Sequence, residues 1–112
     1  MYNSEEVERI RNVAKALPDP NKPSSHLMEF LVDKADEPGC GVEELCMAID
    51  SCFCGGKMTE GAANALIELM RLFPDSDDKV VQQEIQRKRA MALRYVNRLR
   101  GCRQYDERIG GR

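Results

Sequence analysis

Residues 76–101 read SDDKVVQQEIQRKRAMALRYVNRLRG. Turned at about 100° per residue, Val81, Ile85, Ala92, Val96 and Leu99 fall within about 60° of one another, the single apolar stripe of an amphipathic helix. Ser76 with Asp77 and Asp78 supplies the start, the acids lying at the positive end of the helix dipole, and Gly101 supplies the stop. At about 1.5 Å per residue, about 23 residues make a helix about 34 Å long. On the side roughly opposite the stripe, Arg87, Arg94 and Arg98 lie within about 40° of each other and form a basic ridge, flanked by Lys88, Arg89 and Arg100, whose long stems let their charges snorkel outward. From Arg87 to Arg98 the ridge spans roughly 16 Å, enough to reach two or three phosphates of one strand.

The rest of the chain has the opposite charge. Residues 1–78 hold 7 Lys and Arg against 16 Asp and Glu, whereas residues 79–112 hold 10 against 3, so the formal net charge of −2 conceals an acidic body and a basic end. Such an asymmetry has two readings: the basic segment lies against the acidic body, or it reaches outward for nucleic acid or an acidic protein.

Upstream, helical periodicity continues and no alternating Val, Ile or Thr run is long enough for a strand. Asn3 with Glu6 is the sequence of a capping box, followed by the stripe Val7, Ile10, Val13, Ala14, Leu17 and the breaker Pro18-Asp19-Pro20. A second helix is expected from Ser24 or Ser25 to about Ala35, turning Leu27, Met28, Phe30 and Leu31 inward, with Glu37-Pro38-Gly39 as its end. The third, from about Val42 to Cys52, carries Val42, Leu45, Cys46 and Ile49 on one face and meets Gly55-Gly56, residues suited to the left-handed conformation. Thr59 then caps a fourth helix, Glu60 to about Phe73, apolar around nearly its whole circumference and therefore expected at the centre. The fold class is all-α: a single-domain bundle of about five helices over residues 3–101, with a long basic C-terminal helix, and residues 102–112 forming a flexible basic tail.

At 112 residues and 12.7 kDa the chain fits one domain. Its 5% aromatic content without Trp is poor in the flat rings of stacking sites. Every apolar stretch is cut by a charge well short of the roughly 18 residues that a membrane span needs, so neither a span nor a signal peptide is read, and a cytoplasmic protein is expected. Cys40, Cys46, Cys52, Cys54 and Cys102 are an odd set, read as unbridged thiols in a reducing compartment. Their spacing lacks the C-x2-C knuckle of zinc sites, and His26 is the sole histidine, so no metal and no cofactor is expected. For the same reason His26, beside Ser24 and Ser25, reads as a first-turn surface residue rather than a catalytic base. The string Cys54-Gly55-Gly56-Lys57-Met58-Thr59 only faintly resembles a phosphate-binding loop, because Met58 separates Lys from Thr and no strand precedes it. Glu43-Glu44 and Asp77-Asp78 are simplest as first-turn partners of helix dipoles, and no enzyme signature remains. A helix-turn-helix in the third and fourth helices is disfavoured on chemistry, since Glu60 to Phe73 offers only Asn64 and Arg71 toward base edges.

The functional expectation is a non-catalytic regulatory or adaptor protein that binds a macromolecule, nucleic acid or an acidic protein, through Arg87, Lys88, Arg94 and Arg98. The alternative is an inhibitor of the type found among small phage or mobile-element proteins, blocking its target through the acidic body. The fifth helix outruns the others, at about 34 Å against about 16 to 21 Å. Met91, Tyr95, Val96 and Leu99 near its far end are therefore read as a self-association surface that makes a homodimer, unless the N-terminal helix packs there.

Overall fold

The computed structural model describes residues 2–17 and 26–110, with side chains as far as residue 100. Among these residues there are five helices and no strand: α1 (Ser4–Ala16), α2 (Leu27–Asp36), α3 (Val42–Cys54), α4 (Glu60–Arg71) and α5 (Lys79–Gly110). The local signals set most of their boundaries. Asn3 and Glu6 form the capping box in both directions, each side chain accepting the other's backbone N–H at 2.8 Å. Thr59 Oγ1 accepts the Ala62 amide at 3.1 Å to start α4, and Asp78 Oδ1 accepts the amides of Val80 and Val81 to start α5. Gly39 and Gly56 have φ of 81° and 74°, where a side chain would be strained; Gly55, by contrast, keeps an ordinary φ of −80°. The breaker at 18–20 and the caps Ser24 and Ser25 lie outside the described residues.

The helices close a ring. α5 packs on α2, α2 on α3, α3 on α4, α4 on α1, and α1 back on α5. Each helix therefore buries an arc facing two neighbours, and the core is the shared interior: Ile10 and Val13 of α1, Met28 and Leu31 of α2, Leu45 and Ile49 of α3, Leu66 and Leu69 of α4, Leu93 and Val96 of α5. The expectation of a central α4 is corrected by this closure. Its apolar circumference is used on two sides, against α1 and α3, while Asn64, Glu68 and Arg71 stay exposed and Ala65 and Ile67 are only partly covered.

Three further expectations change. Phe30 is 52% exposed: Leu27, Met28, Leu31 and Ala35 define the inward arc of α2, and Phe30 lies about 115° from its centre. Val81 is also exposed, and the buried arc of α5 is Arg89, Ala90, Ala92, Leu93, Val96 and Arg100. That arc is rotated by about 70° from the apolar stripe. The rotation follows from α5 lying between α1 and α2, so that it must cover both. Finally, α5 passes through Gly101 to Gly110, because a glycine costs a helix only about 1 kcal/mol relative to Ala and ends it only where the chain turns left-handed.

Candidate functional site

The side chains of α5 divide into those that tie the ring together and those left for solvent. Gln86 Nε2 donates to the carbonyls of Ala35 and Glu37, at the C-terminal end of α2. Arg89, only 1% exposed, donates through Nε and Nη2 to the Phe73 carbonyl just beyond α4, at 2.9 and 2.6 Å, and through Nη2 to Asp75 Oδ1 at 2.7 Å. Both residues thus tie α5 to backbone carbonyls at or just beyond the ends of α2 and α4. Asp75 also accepts from the Val42 amide at the start of α3 and from Gln82 Nε2. Arg100 is 1% exposed and donates to Asn97 Oδ1. The expectation that Arg89 and Arg100 snorkel outward is corrected by the rotated arc, which places them inside. Arg89 lies within about 20° of Val96 on the helix, so a buried arginine is readable once the arc is centred correctly.

The four expected binding residues separate. Lys88 is half-buried, its Nζ 3.7 Å from Glu6 Oε2 and over the rings of Tyr2 and Phe73, while its backbone carbonyl accepts the Tyr2 hydroxyl. Arg94 pairs with Asp36 on α2, with both groups partly exposed. These two cations serve the acidic body. Arg87 and Arg98 are exposed and have no carboxylate partner among the described residues. They point the same way, within about 20° and about 16 Å apart. Met91 lies between them at 46% exposure, with Tyr95 beside at 48%.

Of the expected self-association residues, Val96 is fully buried and Leu99 half-buried. The N-terminal helix does pack on α5, so only Met91 and Tyr95 remain largely open. Between α1 and α5 is a groove of about 380 Å³ lined by Tyr2, Val7, Ile10, Arg11, Tyr95 and Leu99. Tyr2, whose contacts with Lys88 and Phe73 fix this end of α1, carries no sequence signal of its own.

Away from α5, burial pushes the thiols of Cys40, Cys46 and Cys52 above their ordinary range, which makes them poor nucleophiles at neutral pH. Cys54 is exposed, and it and the three buried cysteines are unbridged; the side chain of Cys102 lies outside the described residues. His26 stands at the start of α2, 82% exposed at its side chain, with Glu29 Oε2 at 3.4 Å. Among the described residues no three His, Cys, Asp or Glu side chains converge as metal ligands would, and no helix is long and apolar enough to cross a membrane. Compared with protein-family models, curated proteins and solved structures, the chain finds no match in any of the three.

Proposed function

We propose that this chain is a non-catalytic regulatory or adaptor protein of a reducing, cytoplasmic compartment, docking on an acidic macromolecule through the outer face of α5. The observation that carries this reading is the pair Arg87 and Arg98, exposed and without carboxylate partners among the described residues, where Lys88, Arg89 and Arg94 are paired internally. Met91 and Tyr95 between them favour a protein surface over nucleic acid, since Arg, Met and Tyr are the residue types enriched at the centres of protein interfaces. The exposed His26 and the buried thiols support a role without catalysis.

The test is the double variant Arg87→Gln/Arg98→Gln, measured by fluorescence anisotropy against poly-glutamate and a short DNA duplex at two salt concentrations. Unchanged circular dichroism with poly-glutamate binding weakened about tenfold is the expected result. Unchanged binding overturns the reading. Duplex binding tighter than poly-glutamate binding, with a log–log salt slope of roughly −2 for two phosphate contacts, assigns the face to nucleic acid.

A second reading rests on a different surface. Glu29, Asp33, Asp36 and Glu37 at α2 and Glu43, Glu44 and Asp50 on α3 are at least partly exposed, together with Phe30 and Met47. This acidic side suits an inhibitor of the phage or mobile-element type that covers a basic site on its target.

A further inference from the structure

We infer that the groove between α1 and α5 seats an acidic amphipathic helix of a partner protein. This deepens the reading of α5 as a partner-binding face and rests on it. Among the described residues that line it, Tyr2, Val7, Ile10, Tyr95 and Leu99 offer rings or aliphatic surface, and Arg11 is the one charged side chain. No carboxylate lines the groove among the described residues, and neither Arg11 nor Arg98, which adjoins Leu99 in sequence, has a carboxylate partner there. The described lining of the groove is therefore apolar with one cation, Arg11, and no carboxylate to compensate it, and its charge complement is a helix with an apolar stripe and acids beside it.

The shape selects a helix. Val7 and Arg11 are one i, i+4 pair along α1, and Tyr95 and Leu99 are another along α5, so each wall is a row of side chains on a helix. From Tyr2 to Arg11 the α1 wall is about 13 Å long, matching the roughly 10 Å between positions i and i+7 of an incoming helix. A volume of about 380 Å³ lies at the lower end for specific sites, many of which form between helices of bundles. A nucleic acid gains little from an aliphatic floor, since its contacts are phosphates, base edges and stacked rings. A second copy of the chain would bring Arg11 and Arg98 to the same face as their own equivalents.

Three synthetic peptides provide the test, titrated into the isotope-labelled full chain and followed by backbone amide shifts. The first has Leu at i, i+3, i+4 and i+7 with Glu elsewhere, the second replaces each Glu by Lys, and the third scrambles the first. The expected result is binding of the first at least about tenfold tighter than either other, with shifts at Val7, Arg11, Tyr95 and Leu99. Arg11→Glu, a surface change outside the core, should reverse the preference toward the Lys peptide; unaltered selectivity in that variant overturns the inference. So does equal binding of the acidic and scrambled peptides with shifts confined to the Arg87 region, which leaves the α5 reading standing. Absence of all peptide binding overturns the groove alone if poly-glutamate still binds, and both readings if it does not. Groove shifts produced by a DNA duplex, or by concentrating the chain alone, overturn it in favour of nucleic acid or a second copy.

Discussion

Asp75 lies outside every helix, yet it joins the start of α3 to two turns of α5 and, through Arg89, to the end of α4. Desolvation pushes its pKa up, but the hydrogen bonds from Gln82, Arg89 and the Val42 amide, with the Arg89 charge, together outweigh that and leave it below the ordinary carboxylate range. A depressed folded-state pKa means that Asp75 contributes stability fully present above the unfolded value, about 3.9, and progressively lost as pH falls below it toward the folded value. The magnitude is limited because the side chain is 43% exposed and solvent screens the pair. Asparagine at this position keeps an acceptor oxygen but removes the negative charge that faces a buried guanidinium. Asp75→Asn is expected to lower stability by about 1–3 kcal/mol at neutral pH in urea unfolding, and to flatten the acid limb of stability against pH below about pH 4. A variant with the wild-type acid limb would show that another carboxylate sets it.

At the scale of the helix, α5 illustrates how packing re-centres a face. Its apolar stripe runs from Val81 and Leu99, which share one azimuth, about 60° round to Val96; the two neighbours it must cover, α1 and α2, draw Arg89, Leu93 and Arg100 inward and leave Val81 in water. Leu93 is fully buried. Leu93→Ala should therefore cost about 2–5 kcal/mol through lost transfer energy and a cavity. Val81→Ala, on the exposed first turns, should stay within about 0.5 kcal/mol. Paired denaturation midpoints with unchanged m-values check this contrast. Equal costs at the two positions would mean that the arc is centred on the apolar stripe after all.

For the whole molecule, ring closure decides how much apolar surface remains for partners. α1 covers one side of α5, Val96 is enclosed, and among the described residues Met91, Tyr95 and part of Leu99 are what is left toward the far end of α5, set among arginines, while Phe30 and Met47 lie apart on α2 and α3. That area is small for a two-fold interface, and two such faces repel each other until salt screens charges beyond about 8–10 Å. Sedimentation equilibrium should therefore find a monomer of 12.7 kDa in low salt. A dimer that strengthens with salt and is abolished by Tyr95→Asp would restore this face to self-association.

The sequence by itself determined the elements. Capping chemistry at Asn3, Thr59 and Asp78, the glycines at 39 and 56, and period-3.6 stripes are local, and each acts within one or two turns of chain, so the all-α class and most of the boundaries were legible from them. The candidate site was legible only in part: the basic face of α5 was evident, yet which of its cations are free was not. Charge pattern counts Arg87, Lys88, Arg89, Arg94 and Arg98 alike, whereas Glu6, Phe73, Asp75 and Asp36 partner three of them and Arg89 is enclosed altogether. Those partners are distant in the chain: Asp75 lies in the loop before α5, Asp36 at the end of α2, and Glu6 in the first turn of α1. Their meeting is decided by which helix packs on which. The groove between α1 and α5 belongs to the same level, because it exists only where two helices from opposite ends of the chain are brought side by side by the closing of the ring.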